Sequence, residues 1–480
     1  MLLIAFALPL LGSALIFTLG RKGRRIRRWL SIAATAATSV FVCLALFGEP
    51  DKSYLLLEFT PRMTIEFSLD GMGKVFAGLV AFLWPLATLY AFEYMEHETG
   101  ENSFFGQYLL CYSMALLLAA SKNLFTLYFF FEALTLSTVF LVAHGFSRTR
   151  MYAARKYLYY LLGAASLGFL AMISVLAYSD TTTFVYGGIP ALREAPHTMM
   201  LLLFVLGFFG FGVKTAVFPL HGWLPTASVA PTPVTSLLHA VAVVNAGVFS
   251  VARLAYYVYG PALLSGTWAQ TLCLSMAAFT ILFAGARAVH EQHMKRRLAY
   301  STISNLSYML FGLMLLTPLG FQAGMMHMVF HSLIKITLFS CVGAIMVRTG
   351  RNYVQQLRGL YRQMPVVTVV FTFCAVELVG IPPFIIFQSK WTMMIAGFQS
   401  GLALGYAGVA VLLLSAGFTA AYLLKPAVTA FALPLEGGTP EKKDPGWQTL
   451  LPFAVLVAAM LALVLGSKPL VEYLAQIARL

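Results

Sequence analysis

Ten acidic or basic side chains lie three or more residues inside the ends of sequence segments that are otherwise apolar enough to cross a lipid bilayer. A charge at the centre of a membrane helix costs about 2.5–3.5 kcal/mol on insertion scales, so such residues mark ion or proton pathways by default. Histidine exchanges protons near neutral pH, and a buried lysine can be adjusted to do so. The chemistry open to this set is proton transfer. Its members are Glu132, Lys214, His239, Arg253, His327, His331, Lys335, Glu377, Lys390 and Lys425.

The acid Glu132 in "LYFFFEALTLSTV" and the base Lys214 in "GFFGFGVKTAVFPLHGWLP" are expected to form an ion pair. The alternative for Glu132 is a neutral glutamic acid that hydrogen-bonds to a neighbouring helix. In a poorly screened medium, moving either charge changes the proton affinity of its partner. The predicted pair would therefore act as a switch.

Prolines lie close to two of the lysines. Pro219 follows Lys214, and Pro382 and Pro383 precede Lys390 in "VGIPPFIIFQSKW". Proline removes a helical hydrogen bond and clashes with the preceding turn, so both helices should be interrupted. Paired broken helices are typical of transporters built from repeats, which bind ions at the breaks. A kink used only for packing would not explain a lysine beside each break.

The segment "GMMHMVFHSLIKITLF" places His327, His331 and Lys335 at i, i+4 and i+8, on one face of one helix. An H-x-x-x-H spacing can also bind a metal. No carboxylate accompanies it here and the segment lies deep in lipid, which favours a proton wire. His239 in "LLHAVAVVNAGVFSVAR" could extend that wire.

The other ionisable positions have weaker functional signals. Glu377 is either a structural or a functional carboxyl group. Lys425 either extends its side chain to the membrane surface or takes part in transport. Arg253 either extends its side chain to the membrane surface or pairs with an acid. The segment "HEQHMKRR" at 290–297 resembles a metal motif, but we predict that it is a solvated face of a basic loop.

The composition predicts an integral membrane protein. The chain has 480 residues, of which 60% are hydrophobic and 10% charged, and its mean hydropathy is +0.81. Soluble domains carry about 25% charged residues. Continuous rather than alternating apolar runs favour helices over a barrel. We predict an all-α polytopic protein with about fourteen spans, near 1–19, 29–47, 72–92, 104–121, 124–146, 156–178, 199–220, 227–256, 268–288, 299–317, 320–347, 365–395, 404–431 and 448–467.

The net charge of +14 reflects membrane topology rather than nucleic-acid binding. Twenty Lys and Arg residues fall in the odd-numbered loops, against seven in the even-numbered loops and C-terminal tail. This positive-inside bias predicts that the odd loops are cytoplasmic and the N-terminus is outside. The basic cluster follows the first apolar run, and no A-x-A site separates them, so that run is expected to be a retained helix rather than a signal peptide.

No motif for cofactor or hydrolytic chemistry is evident. The five cysteines lie in apolar spans without a C-x-x-C pair, which predicts small buried hydrophobes and no metal or iron–sulfur site. Phosphate-binding loops, nucleophile elbows and haem or flavin signatures are also missing from the sequence. We expect no cofactor in this chain and no catalytic chemistry of its own.

Four segments carry a family resemblance: "VKTAVFPLHGWLPTASVAPTPVTSLLHAVAVVNAGVFSVAR", "KRRLAYSTISNLSYM", "HMVFHSLIKITLF" and "GIPPFIIFQSKW". They resemble the antiporter-like subunits of respiratory complex I, Mrp-type cation/proton antiporters and membrane-bound hydrogenases, over roughly residues 70–430. The resemblance implies fourteen helices with two inverted five-helix repeats and two broken helices. The predicted N-terminal division, 1–100, contains the first three helices. The next two divisions, 101–258 and 266–431, contain one repeat each. The last division, 432–480, contains a cytoplasmic loop and the last helix.

The resemblance also implies roles for individual residues. Glu132 matches a glutamate near a subunit interface, and Lys214 matches its partner lysine on the broken helix. His239 matches the histidine of the next helix, while His331 and Lys335 match a central relay. Lys390 matches the terminal lysine on the second broken helix. The chain departs from several relatives at Asn245, where they have a lysine.

These observations lead to the hypothesis of a proton-translocating subunit in a multi-subunit energy-converting complex, with the driving redox reaction elsewhere. Its expected partners are neighbouring antiporter-like or small membrane subunits, lipid and H⁺, with Na⁺ also open. The expected location is the inner membrane of a prokaryotic cell. The alternatives are Mrp-like Na⁺/H⁺ antiport without electron transfer and a non-conducting scaffold.

Overall fold

The polypeptide is predominantly helical in its computed structural model, which describes residues 1–20, 23–48, 52–432 and 441–478. Arg21, Lys22 and Arg479 of the charge pattern, and part of the predicted 432–480 division, lie outside these ranges. The α-helices, in chain order, are α1 (Leu2–Leu19), α2 (Arg24–Leu46), α3 (Gly71–Tyr94), α4 (Glu101–Ala119), α5 (Leu124–Val142), α6 (Arg148–Tyr178), α7 (His197–Gly212), α8 (Trp223–Ala227), α9 (Thr232–Ala240), α10 (Val243–Arg253), α11 (Pro261–Leu264), α12 (Trp268–His290), α13 (Met294–Met314), α14 (Pro318–Thr349), α15 (Leu360–Gln363), α16 (Pro365–Val379), α17 (Ile385–Gln399), α18 (Ala403–Ala432), α19 (Trp447–Gly466) and α20 (Lys468–Ile477).

The prediction of an all-α polytopic membrane protein is confirmed at this level. Ten helices within the described ranges are long and apolar enough to cross a membrane, and α7 and α16 are shorter apolar helices. Polar side chains at their N-caps accept a backbone N–H of the first turn and so define several helix starts. These N-caps are Asp70, Asn123, Ser147, Thr267 and Thr317.

One small β-hairpin was not predicted. Strands β1 (Tyr54–Thr60) and β2 (Met63–Phe67) pair antiparallel between α2 and α3. Side chains at the start of α5 hold it in place, since Asn123 Nδ2 and Thr126 Oγ1 each donate to the Thr64 carbonyl at 3.0 Å. The hairpin therefore covers the N-terminal end of a membrane helix.

The helices divide into a buried centre and a periphery. Every residue of α9 and α10 is buried, and α14 is 94% buried over its most apolar window. The corresponding values for α2 and α19 are 22% and 28%, so these two helices face the surroundings. The side chains of His239, Arg253, His327, His331 and Lys335 on these three helices therefore lie in the protein interior and not against lipid.

The predicted span 227–256 corresponds to one candidate membrane span, Thr232–Val258, whose helix is interrupted at Val241 and Ala242, between α9 and α10. No proline causes this break. Asn245 Nδ2 donates to the Ala240 carbonyl at 2.8 Å, which satisfies a group that a continuous helix would have bonded to its own backbone.

An ion pair between a buried arginine and a half-buried aspartate connects α10 to the start of α3. The guanidinium of Arg253, 1% exposed, donates to both Asp70 oxygens at 2.5 and 2.6 Å, so Arg253 pairs rather than extending to the membrane surface. Phe184, Phe249 and Tyr257 surround it, with ring centroids 4.5–4.9 Å from its central carbon. Burial raises the pKa of Asp70, but Arg253 and the Gly73 amide together hold that pKa below its ordinary value.

We expect Asp70→Asn to lower the free energy of unfolding by about 3 kcal/mol at neutral pH, because it leaves a buried guanidinium without its counter-charge. Asparagine can still cap α3, so the loss of stability measures the contribution of the Asp70 charge and not of the helix cap. A carboxyl group whose pKa is lower in the folded protein than in the unfolded chain stabilises the fold at pH values above its unfolded pKa. This stabilisation is lost as the pH falls through the folded pKa. The difference between wild type and variant in thermal unfolding should therefore shrink on acidification.

The matched control is Asp180→Asn, which removes the partner of Arg62 in an ion pair between two exposed side chains. Exposed pairs contribute at most about 1 kcal/mol. Equal destabilisation by the two variants would contradict the importance of the Asp70–Arg253 pair.

Candidate functional site

The first broken helix is formed by α7, which ends at Gly212, and α8, which begins at Trp223. Pro219 lies in the connection, and Lys214 is fully buried at its start. Two carbonyls at the break accept amides of the connecting turn and gain a side-chain donor as well. Thr215 Oγ1 donates to Gly212 O at 2.6 Å, and Trp223 Nε1 donates to Val213 O at 2.9 Å. The break is therefore stabilised from within the protein, as membrane depth requires.

A glycine allows α10 to approach this break closely. A Cβ atom at Gly247 would lie 2.8 Å from Lys214 Cβ and 2.9 Å from the Thr215 backbone nitrogen, which is closer than real Cβ contacts. Only glycine fits between α10 and the break. Lys214 is thereby held against the fully buried centre of the protein.

Lys214 and Glu132 are near each other but do not form the predicted ion pair. The Lys214 ammonium donates to the carbonyl of Phe131, the residue before Glu132, and lies 3.5 Å from the Phe131 ring centroid. Both carboxylate oxygens of Glu132 are buried and have no hydrogen-bond partner in the described part of the chain. The expectation of an ion pair is wrong for this structure, because a backbone carbonyl takes the ammonium instead.

His239 lies on α9 and contacts the central helix α14. Its ring stacks on Phe339 with centroids 4.6 Å apart. Its Nε2 lies 3.5 Å from Ser228 Oγ, at the long limit for a hydrogen bond. Asn245 donates to Ser332 Oγ at 2.7 Å and so joins α10 to α14 beside His331.

The second group of buried residues is connected through hydrogen bonds across α13, α14 and α17. Lys335 Nζ donates to Ser301 Oγ at 2.7 Å and to Leu298 O at 3.1 Å. His327 Nε2 lies 3.2 Å from Asn305 Oδ1, and its Nδ1 lies 2.9 Å from Ser389 Oγ. A histidine bonded through both nitrogens can move a proton from one side to the other by changing tautomer.

His331 lies between His327 and Lys335 on α14, as its spacing predicts. Its ring stacks on that of His327 with centroids 6.2 Å apart. Neither of its ring nitrogens has a hydrogen-bond partner among the described residues. Both nitrogens are thus available to exchange protons with their surroundings.

The polar face of α13 was not predicted from the sequence. Ser301, Asn305 and Tyr308 lie at i, i+4 and i+7 in "KRRLAYSTISNLSYM", one side of a helix. Asn305 Nδ2 donates to Ser301 O at 2.8 Å, and the Tyr308 ring stacks on His327 at 5.5 Å. Their helical spacing was the available signal, but neutral side chains do not stand out in an apolar segment as charges do.

Lys390 caps the second broken helix. Helix α16 ends at Val379 and α17 begins at Ile385, with Pro382 and Pro383 between them. Lys390 Nζ donates to the Leu378 and Val379 carbonyls, both at 3.0 Å. These carbonyls form the negative end of a helix dipole, which favours a cation.

The remaining predicted positions fall in different environments. Glu377 is buried on α16, and its oxygens have no hydrogen-bond partner within the described ranges. Lys425 is exposed on α18. Among the residues that the structure describes, no group of three or more His, Cys, Asp or Glu side chains could hold a metal ion.

The prediction of a solvated face at 290–297 is wrong for two of its basic residues. Lys295 is buried and donates to Ala230 O at 3.0 Å, while Arg297 is buried and donates to Tyr422 O at 2.8 Å. Arg296 remains exposed and pairs with Glu291 at 2.8 Å. Burial raises the pKa of Glu291, but bonds from the His293 amide and Arg296 hold it below its usual value. Carbonyls of neighbouring segments draw Lys295 and Arg297 inward.

Fold and site define a class of protein: a polytopic helical membrane protein with two broken helices and buried charged residues that fit a proton relay. The comparisons with known proteins agree. A profile of the family described as "NADH:quinone oxidoreductase/Mrp antiporter, TM" matches residues 121–419, more than half of the chain. The NADH-quinone oxidoreductase subunit N of Desulforudis audaxviator (strain MP104C) is 31% identical over 431 residues, covering 87% of this chain and 82% of that protein.

Two solved structures share the fold. A chain of the archaeal membrane-bound sulfane sulfur reductase superposes with a TM-score of 0.87 at 22% identity, covering 100% of this chain and 97% of that one. A chain of the Mrp complex from Dietzia sp. DQ12-45-1b has a TM-score of 0.86 at 25% identity, covering 99% of this chain and 52% of that one. This chain thus spans about half of the Mrp chain. It belongs to the NADH:quinone oxidoreductase/Mrp antiporter transmembrane family, and it is an antiporter-like membrane subunit.

We expect Trp223→Phe to destabilise the protein because it removes the indole donor to the Val213 carbonyl at the first break. The matched control is Trp84→Phe: Trp84 is also fully buried, and its Nε1 has no hydrogen-bond partner in the described ranges. Both variants lose similar ring volume. Thermal unfolding in detergent should show Trp223→Phe less stable than the control by about 0.5–1.5 kcal/mol, the net contribution of one hydrogen bond, because the Val213 carbonyl still accepts the Ala216 amide. Equal loss would show that the indole hydrogen bond adds nothing to the stability of the break.

Proposed function

We propose that this subunit translocates protons along its buried polar residues within a multi-subunit energy-converting membrane complex. One observation carries the proposal: contacts connect Lys335 through Ser301, Asn305 and His327 to Ser389, the residue beside Lys390 on the second broken helix. This series of side-chain and backbone contacts runs from the buried Lys335 ammonium to the residue next to Lys390 in the sequence. The driving reaction takes place in other subunits.

The proposed sequence of events begins at Glu132. A partner subunit displaces its carboxylate toward Lys214, which leaves the Phe131 carbonyl and forms the ion pair. The change in charge alters the proton affinity of Lys214, and the proton passes through His239 to His331 and Lys335. Each step moves one proton between an N–H and a lone pair, so no electron transfer is needed in this chain.

The series continues from Lys335 to Lys390. Its proton moves to the Ser301 hydroxyl, which releases its own proton. Water carries a proton past Asn305, whose amide orients His327 and takes no part in the transfer, and His327 accepts a proton at one ring nitrogen as it releases one from the other. Lys390 exchanges the proton with the opposite side or the next subunit. Changes in affinity worth two to three pK units amount to about 2.7–4.1 kcal/mol. That exceeds the roughly 2.3 kcal/mol needed to move one charge against 100 mV.

Two roles are proposed for the positions outside this series. Lys295, buried beside the loop that holds Ser228, admits protons from the predicted cytoplasmic side toward His239. Glu377 tunes the charge around the second break, while Lys425 extends to the membrane surface. We propose no cofactor for this chain.

The proposed topology has about fourteen spans, with an outside N-terminus and cytoplasmic odd-numbered loops in a prokaryotic inner membrane. The proposed repeats are 101–258 and 266–431, between an N-terminal part, 1–100, and a C-terminal part, 432–480. Each repeat contains one broken helix with a buried lysine, Lys214 in the first and Lys390 in the second, which supports this division.

The second candidate function is cation/proton antiport in an Mrp-like assembly without electron transfer, with Na⁺ as the counter-ion. It is favoured by the likeness of nearly the whole chain to a chain of the Mrp complex. The same buried residues would serve both functions. Neighbouring antiporter-like or small membrane subunits are the partners that distinguish them.

We expect Lys214→Met to abolish most proton uptake by energised inside-out vesicles that carry the native complex, because methionine keeps the side-chain length and loses the ionisable group. Complex abundance and the rate of the driving reaction are measured in the same vesicles. Lys425→Met is the matched control, since this lysine is exposed on its helix, and it should retain uptake. Unchanged uptake with assembled Lys214→Met complex would favour the non-conducting scaffold.

We expect Asn305→Ala to slow proton uptake about tenfold, because it disconnects His327 from Ser301; a tenfold effect corresponds to about 1.4 kcal/mol of barrier. Ser307→Ala is the matched control, since Ser307 is buried on the same helix and its hydroxyl has no hydrogen-bond partner in the described residues. Similar rates for the two variants, measured in the same vesicle assay, would contradict the route through α13.

A further inference from the structure

A groove between α2, α3 and α19 is lined by an unusual combination of side chains. Its volume is about 660 Å³, and Arg24, Arg25, Arg28 and Trp29 of α2 face Phe92 and Trp447 across it. Its lining surface is almost entirely apolar apart from the arginines at one end. The function proposed above uses none of these residues.

The arginine end of the groove carries excess positive charge. Arg24 and Arg27 pair with Glu101, and Arg28 pairs with Glu96 at 2.7 Å. Arg25 is exposed, and within the described ranges it has no acidic partner. Four guanidinium groups thus share two carboxylates, and one of them is free to bind an anion.

The apolar part of the groove extends from this charge toward the membrane interior. Ile32 lies seven residues beyond Arg25, about 10 Å along the helix axis, and lines the groove together with Leu89 and Phe92. Trp29 and Trp447 are each 65% exposed beside the groove. Exposed tryptophans next to arginines are typical of the headgroup level of a bilayer.

We propose that this groove binds one anionic phospholipid, with its phosphate on Arg25 and an acyl chain along Ile32, Leu89 and Phe92. Charge complementarity selects the ligand: a net positive end requires an anionic headgroup, and a long apolar floor requires a hydrocarbon chain. A peptide helix of a neighbouring subunit would cover the floor but would leave Arg25 without a counter-charge. The low burial of α2 and α19 keeps the groove open to lipid.

The test is native mass spectrometry of the purified full chain, after exchange into detergent with added phosphatidylglycerol or phosphatidylcholine. Wild type should retain phosphatidylglycerol preferentially, and Arg25→Gln should reduce that retention at least about fivefold. Arg148→Gln is the matched control, because Arg148 is also an exposed arginine in the first turn of a long helix, α6. It should retain the lipid as wild type does.

Three results would overturn the proposal. Equal loss of lipid in the two variants would show a general effect of surface charge. Equal retention of the two lipids by wild type would show that the groove only collects hydrocarbon. In the native complex, efficient disulfide crosslinking of Trp29→Cys to a cysteine in another subunit would show that protein covers the groove. The melting temperature of Arg25→Gln, expected to match wild type, separates lipid loss from unfolding.

Discussion

The absence of hydrogen-bonding solvent inside a bilayer constrains every other feature of this protein. Any backbone or charged group that leaves a regular helix must find its partner within the chain. The first break meets this requirement through Thr215 and Trp223, and the interruption in 227–256 meets it through Asn245. Polar residues in the interior are therefore tied to the places where helices stop.

Lys390 solves two problems at once. It supplies the donor that the carbonyls at the end of α16 lack, and those carbonyls solvate its ammonium where water would otherwise be needed. The ammonium of Lys214 is likewise solvated by a backbone carbonyl, that of Phe131, although this carbonyl lies within α5 and not at a helix end. Because a backbone carbonyl does not titrate, it holds a protonated lysine without a permanent counter-charge. Such a lysine stays responsive to a carboxylate such as Glu132 that moves nearby.

The site has the features of a relay and not of a binding pocket. His327 contacts α13 through one nitrogen and α17 through the other, while His331 keeps both nitrogens without a partner in the described chain. The neutral residues Ser301 and Asn305 connect the charged ones. This arrangement agrees with membership of a family whose profile covers residues 121–419, a range that includes α13, α14 and α17.

The sequence by itself determined the class of protein, most of the helices and the ionisable residues of the interior, because a charge in an apolar run and a proline beside it are local signals. It could not determine that Lys214 bonds to Phe131 rather than to Glu132, that Lys295 is buried, or that 227–256 is interrupted. Those outcomes depend on which carbonyl of a distant segment lies within reach of a flexible side chain. Competition between partners is decided only when α5, α7, α10 and α13 pack together, and so it belongs to the tertiary structure.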